Sequence, residues 1–343
     1  SDAGLIPMVY PNYMSVEDAD IRKKYEDLWG RPLDPNKGLT VVEIMNAIHE
    51  GKIKGMYVQG ENPAMSDPDQ QHARQGLAKL DHLVVQDIFF TETAWHADVL
   101  LPASSQAEKW GTYTNTNRQI QIGRPVIPPP GDARQDWKII ADLASRIGLN
   151  WRYESVADIF GEMQSVMPSF ANVTWDRLLR EDAVTYPVNA EDIPGVEILF
   201  GDGFPTDSGK GKIVPTDLVP PDELPDTEFP FVLTTGRVLE HWHTGAMSTR
   251  SPALNVQEPE ATVSMHPKDI GKMGLKRGQK VRVETRRGSI SLKIRSDRDV
   301  TKGMLFIPFC FTDAPANVLT NPKLDPYGKI PEFKFCAARV NAL

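Results

Sequence analysis

Apolar and polar positions change their spacing near residue 225, and the stretches on either side predict different kinds of structure. Residues from about 15 to 30 carry mixed charge at helical spacing until Asp34-Pro35-Asn36-Lys37-Gly38 breaks them. Thr40 then caps a short amphipathic helix: Glu43, three residues on, completes a capping box, and Val42, Met45, Ala47 and Ile48 fall on one side. Lys54 to Gln59 reads as a strand ending in Gly60-Glu61-Asn62-Pro63, and Ser66 or Asp67 starts a helix running to about Leu80. Leu83 to Ile88 is a second strand and Asp98 to Pro102 a short third one. Helix and strand alternating at this spacing predict a parallel α/β domain.

Gly111 to Arg118 is polar and turn-rich, and Pro125 to Gly131 is proline-dense and extended. Asp132 to Gly148 reads as a helix with Asp136 and Trp137 near its start, Ile139, Ile140, Leu143 and Ile147 on its apolar face, and Gly148 as its stop. From 151 to 222 the pattern weakens into short helices and prolines, read as an insertion and crossover that closes in the linker Pro220-Pro221-Asp222-Glu223-Leu224-Pro225. This places one domain at residues 1–222 and a second at 226–343. In the second, Phe231 to Gly236, Thr262 to Met265, Lys280 to Thr285, Ser289 to Ile294, Gly303 to Pro308 and Glu332 to Val340 read as strands, with a short helix after His266. Arg286-Arg287-Gly288 is the solvated turn of a β-hairpin, and a small closed barrel is expected, because closure removes exposed strand edges.

With 343 residues, 40 % of them hydrophobic, the chain can bury a sizeable core, and a formal charge of -8 argues against a general nucleic-acid or membrane-surface binder. No apolar run approaches a membrane span and no leader pattern precedes the first strand, so a cytoplasmic location is expected. Cys310 and Cys336 are the two cysteines, each in an apolar run where a small buried hydrophobe is expected. That excludes a cluster or zinc ribbon held by four cysteines of this chain alone, as well as a disulfide framework. The chain begins at Ser1 without a methionine, inside what reads as a loop and strand, and is expected to be part of something longer.

Candidate chemistry lies at strand ends, where open parallel sheets bind ligands. Phe231-Val232-Leu233-Thr234-Thr235-Gly236-Arg237 is an apolar run ending in hydroxyls, a glycine that admits a bulky ligand, and a cation suited to phosphate. Glu61-Asn62-Pro63 with Ser66, Gln86-Asp87, and Ala103-Ser104-Ser105 end the other strands and suit a ribose or a purine edge. No Gly-x-Gly-x-x-Gly or Walker pattern is present, so an ordinary NAD or ATP site is not expected. His241 and His243 could share one face of a strand, but no third ligand at telling spacing accompanies them, and Ser104-Ser105 lacks the Gly-x-Ser-x-Gly elbow.

Taken in order, Gly60-Glu61-Asn62-Pro63, Val85-Gln86-Asp87-Ile88-Phe89 with Thr91-Glu92-Thr93-Ala94, Ala97 to Pro102, Thr235-Gly236-Arg237 with His241-Trp242-His243-Thr244-Gly245, and Pro331 to Ala337 resemble the C-terminal half of molybdenum or tungsten enzymes of the dimethyl sulfoxide reductase family. Within that family the chain is most similar to formate dehydrogenase α subunits. The resemblance implies a parallel Rossmann-like α/β domain followed by a double-psi β-barrel, and a bis-molybdopterin guanine dinucleotide cofactor. It assigns the guanosine of one dinucleotide to Gly60, Glu61, Asn62, Ser66, Gln86 and Asp87, with Asp136 at its guanine. Thr235, Gly236, Arg237, His241 and Thr244 would line the pterin and phosphates, joined by Asn317, Thr320, Asn321, Phe333 and Lys334. The family's metal-ligating residue, the histidine and arginine that act on formate, and the cysteines of its 4Fe-4S cluster lie upstream and have no counterpart here. The implied partners are therefore an N-terminal half of the same subunit and iron-sulfur or flavin electron-transfer subunits, carrying electrons from formate to an acceptor such as NAD. A relative acting on nitrate or an S- or N-oxide, and a stand-alone binding module without redox chemistry, are the alternatives.

Overall fold

The computed structural model describes residues 5–343; the reading of the first four as the start of a loop and strand lies outside them. Two compact units interleave along the chain, one made of the described residues up to Leu39 with Pro102–Asp217, the other of Thr40–Leu101 with Leu218–Leu343.

In the first unit the Asp18 carboxylate caps the helix Ala19–Trp29 by accepting from the amides of Asp20 at 2.9 Å and Ile21 at 3.1 Å, and Gly30, at φ +66°, ends it. Gly111–Thr114 and Gln119–Gly123 form an antiparallel hairpin flanked by Ala183–Thr185, where the polarity of Gly111 to Arg118 predicts a loop. The difference has a simple cause: glycine, threonine and glutamine occupy most positions of the ribbon, and its fully buried residue, Ile120, is a single one. The helix expected from Asp132 begins at Asp136, because Arg134 is first held extended, its amide bonded to the Pro102 carbonyl at 3.0 Å and its carbonyl to the Ser104 amide at 2.9 Å. Helices Val156–Val166 and Trp175–Glu181 close a core of Tyr25, Ile120, Phe160, Met167, Phe170, Leu178 and Val184. The irregular segment beyond is tied down by guanidiniums: Arg118 donates to the carbonyls of Val196 at 3.0 Å and Glu197 at 2.7 Å, and buried Arg177 to that of Ile193 at 2.8 Å.

In the second unit Gly55–Gln59, His82–Asp87 and Val99–Pro102 form a sheet in that order, the first two parallel with Met56 opposite Leu83 and Val58 opposite Val85. Helix Val41–His49 starts on the capping box, with the Thr40 amide and hydroxyl donating to Glu43 at 2.9 and 2.7 Å. The one helix expected from Ser66 to Leu80 is two, Pro63–Ser66 and Gln70–Leu77. Pro68 is the reason: a residue before proline avoids the helical region, Asp67 is extended at ψ 148°, and Asp69 starts the second helix from φ +44°.

The rest of this unit is a closed barrel of Thr262–Met265, Ser289–Ser296, Lys280–Glu284, Cys336–Ala342, Phe231–Gly236 and Met304–Pro308, each beside the next and the last beside the first. Thr262–Met265 runs parallel to Ser289–Ser296 and Phe231–Gly236 parallel to Met304–Pro308; the remaining pairs are antiparallel. Period-two alternation fills it with Leu233, Val263, Met265, Val281, Val283, Leu292, Leu305, Ile307 and Ala338. Arg286 and Arg287, expected to be solvated, instead dock the linker: Arg287 pairs with Glu223 at 2.7 Å, both largely buried, and Arg286 bonds Glu223 and Asp226. Among the described residues no helix is long and apolar enough to cross a membrane.

Candidate functional site

A cavity of about 700 Å³ opens inside the second unit, where the loop after Gly55–Gln59 meets the loops after Phe231–Gly236 and before Cys336–Ala342. On the sheet side Gly60 turns the chain at φ +61° and presents Glu61, whose carboxyl is pushed up by burial and then by the charge of Asp87. Asn62 is buried and acts as a clamp: its Oδ1 accepts from the amide and hydroxyl of Thr93 at 3.1 and 2.8 Å, and its Nδ2 donates to Glu92 at 2.8 Å. Gln86 is fully buried and accepts from the Tyr57 hydroxyl, while Asp87 accepts from the amides of Ile88 at 2.6 Å and Phe89 at 3.3 Å.

The barrel side is built by reciprocal bonds between two strand ends. Thr235 donates its hydroxyl to the Phe333 carbonyl at 2.9 Å, and Lys334 returns Nζ to the Thr235 carbonyl at 2.6 Å. Burial, and then Arg237, lower the Lys334 ammonium from its ordinary value. Arg237 lies 5.3 Å over the Trp242 ring and bonds His243 at 3.0 Å. Gly236 is required by the Phe306 ring, a carbon of which would stand 2.5 Å from any Cβ added there. Asn317 reaches back to the sheet side, its Nδ2 donating to the carbonyls of Met65 at 3.1 Å and Ser66 at 2.8 Å, and Thr320 donates to the Asn317 carbonyl at 3.1 Å.

Of the residues singled out by the sequence, Glu61, Ser66, Thr235, Arg237, Thr244, Asn317, Phe333 and Lys334 line the cavity together. Gly60, Asn62, Gln86, Asp87, Gly236, Thr320 and Asn321 stand behind or beside it; Asn321 donates to Glu332 at 2.9 Å. His241 is buried away from it, its Nε2 2.8 Å from the Glu258 carbonyl and its ring edge-on to Phe311 at 5.4 Å. His243, two residues on, bonds Arg237 and lines the cavity instead, so the two histidines do not share a face. Asp136 belongs to the first unit, where it pairs with Lys109, which also donates to the Ser104 carbonyl at 2.9 Å.

The sequence reading missed His243 and Asp67 as lining residues. Asp67 is 4 % exposed, its Oδ2 has no hydrogen-bond partner, and burial, opposed by the Ser66 hydroxyl and reinforced by Glu61, pushes its carboxyl up to about 7. The Asp67-Pro68 step, which breaks the helix and leaves Asp67 outside it, was the available signal. Among the described residues no group of three or more His, Cys, Asp or Glu is placed to hold a metal ion. Cys310 and Cys336 are buried free thiols, pushed up by burial to about 12 and about 11.

The family model for Molybdopterin oxidoreductase matches residues 28–146 and that for the Molydopterin dinucleotide binding domain matches 231–337. The chain belongs to the molybdopterin oxidoreductases. It is 44 % identical over 345 residues to the F420-dependent formate dehydrogenase subunit alpha of Methanocaldococcus jannaschii, covering 100 % of this chain and 50 % of that one. To the F420-dependent formate dehydrogenase 1 subunit alpha of Methanococcus maripaludis it is 42 % identical, with 100 % and 50 % covered. The assimilatory nitrate reductase catalytic subunit of Bacillus subtilis is 35 % identical over 96 % of this chain and 48 % of its own length. The chain thus spans about half the length of these relatives. Among solved structures, acetylene hydratase from Pelobacter acetylenicus shares the fold, with TM-score 0.74 and 20 % identity over 96 % of this chain and 50 % of that one.

The cavity fits the family's cofactor on its donor set. Arg237 and Lys334 are cationic donors for phosphate, and Asp67 Oδ2 and Asn317 Oδ1 are buried oxygens that no protein group satisfies. A molybdopterin dinucleotide carries both phosphates and N–H-bearing heterocycles.

Proposed function

We propose that this chain is the cofactor-cradling portion of a molybdenum or tungsten formate dehydrogenase that oxidises formate to CO2. The observation that carries the reading is the cavity itself, which is lined by the two cations Arg237 and Lys334 and by two buried oxygens, of Asp67 and Asn317, that no protein group satisfies. In it Glu61, Ser66, Thr235, Arg237, Thr244, Asn317, Phe333 and Lys334 contact the bis-molybdopterin guanine dinucleotide. Gly60, Asn62, Gln86, Gly236, Thr320 and Asn321 support these from behind, and Asp87 takes the guanosine; His241 packs away from the cavity against Phe311. The α/β part is the Rossmann-like domain of the family and the barrel its double-psi barrel; the mixture of parallel and antiparallel barrel pairs supports this.

The bound metal centre supplies the two-electron redox chemistry. The residues of this chain bind and orient: charged hydrogen bonds from Arg237 and Lys334 would hold phosphate, each contributing roughly 1.5–3 kcal/mol. Catalytic residues and a 4Fe-4S cluster belong to an N-terminal half of the same subunit, with iron-sulfur or flavin subunits as electron-transfer partners in the cytoplasm. The names of the Methanocaldococcus jannaschii and Methanococcus maripaludis relatives favour F420 as acceptor over NAD. Nitrate as substrate is the second reading, supported by the 35 % identity to the Bacillus subtilis enzyme. Anaerobic assay of the complete native protein decides: formate-dependent reduction of F420 is expected. Nitrate-dependent oxidation of a reduced dye with no formate activity would overturn the assignment.

A further inference from the structure

The cavity is chemically polarised. Arg237 and Lys334 stand on the barrel side, whereas Glu61, Asp67 and Asn317 gather acceptor oxygens where the sheet loop meets the barrel. Asn317 cannot turn its amide over, because Nδ2 is held by the Met65 and Ser66 carbonyls at 3.1 and 2.8 Å; Oδ1 is left buried and without a partner. Asp67 Oδ2 is in the same position, and both side chains are at least nine-tenths buried, at 4 % and 5 % exposure. Two buried unsatisfied oxygens on one wall are a recess for a ligand that brings N–H donors.

The charges facing Asp67 agree. Glu61, on its own loop, disfavours a second negative charge. From the next helix Arg74 is engaged with the Ala64 carbonyl at 2.9 Å and gives Asp67 no counter-ion, and across the cavity Arg237 bonds His243 at 3.0 Å and Lys334 the Thr235 carbonyl at 2.6 Å. Asp67 has no cation of its own, so burial favours its neutral acid form below about pH 7, and an N–H donor placed against it favours the carboxylate.

We infer that Asp67 and Asn317 read the N–H edge of a 2-amino-4-oxopyrimidine ring, and that docking this edge expels the Asp67 carboxyl proton into the buffer. The step balances: the O–H bond of the acid breaks, its proton leaves to solvent, and the carboxylate accepts the ligand N–H. The inference rests on the cofactor reading above. Pterin and guanine share this edge, so either end of the cofactor could supply it.

The test is titration calorimetry of the full chain in buffers of different ionisation enthalpy. The probes are 6-methylpterin against 6-methyllumazine, which lacks the 2-amino donor, and GDP against IDP, which lacks it too. One pair should discriminate by about tenfold or more, with about one proton released at pH 6 and almost none at pH 8.5. The discriminating pair identifies the source. Asp67→Asn should abolish proton release and the discrimination. Binding without proton release, at unchanged affinity in Asp67→Asn, overturns this inference and leaves the cavity reading standing. No binding of any probe overturns both. Should Asp67→Asn fail to fold, proton release and discrimination in the unaltered chain decide alone.

Discussion

The guanidinium of Arg237 donates to Nε2 of His243 at 3.0 Å, which assigns the proton of the neutral imidazole to Nδ1. Burial, and then this guanidinium, hold the histidine below its ordinary value. In Arg237→Ala the second cause is removed, so His243 should titrate at higher pH, nearer 6.5. NMR of the ring carbons against pH checks this, and an unchanged midpoint would show that Arg237 does not face the ring in solution.

Asn62 is the hinge pin of the sheet-side loop, and its two ends ask for opposite chemistry. Asn62→Asp keeps the acceptor for Thr93 but sets a carboxylate where the amide donates to Glu92 at 2.8 Å. Two carboxylates at that distance repel, so the variant should lose roughly 1–3 kcal/mol at pH 7. The loss should shrink as pH falls through the carboxylate range and one of the pair takes a proton. Urea unfolding at pH 7 and pH 4.5 measures it.

Two glycines with positive φ separate conformational strain from crowding. Gly30, at φ +66°, has open space around an added Cβ, whereas Gly245, at φ +79°, would place one 2.4 Å from the Cys310 carbonyl oxygen. Gly30→Ala should cost about 1 kcal/mol and Gly245→Ala clearly more, because backbone at Cys310 must shift. Denaturant midpoints of the two variants give the comparison.

Asp67 makes the chain less stable as pH rises. Its folded carboxyl sits at about 7, above the ordinary 3.8, so the folded state binds more protons between those values and stability falls across that window. The full difference is roughly 4 kcal/mol on the 1.36 kcal/mol-per-unit scale. Asp67→Asn removes the titrating carboxyl, so its melting temperature should exceed that of the parent more at pH 8 than at pH 5. Equal differences at the two pH values would contradict the burial of an unpaired acid.

Much of this architecture was legible because the chain uses strong local signals. Thr40 with Glu43 and the alternation of Val281, Val283, Ile290 and Leu292 each name their element unaided, while the strand-end words around Asn62 and Arg237 gain a meaning only from their resemblance to a family. What escaped was set by context. The Gly111–Gly123 hairpin hides behind polar side chains, and the docking of Arg287 onto Glu223 needs a partner more than sixty positions away. His241 and His243 look alike in sequence, yet one packs under a carbonyl and the other faces the cavity, because His243 takes φ +49°. Asp67 reads as a helix cap, and only the fold leaves its oxygen without a partner.

The central claim is that Arg237 and Lys334 hold the phosphates of a molybdopterin dinucleotide. The direct measurement is the molybdenum (or tungsten) and guanosine monophosphate content of the complete native protein beside an Arg237→Ala, Lys334→Ala double variant that retains its melting temperature. Losing two charged bonds, together roughly 3–6 kcal/mol, should leave the variant with only a small fraction of the parent's metal and nucleotide after desalting. Equal content of both in parent and variant would contradict the account.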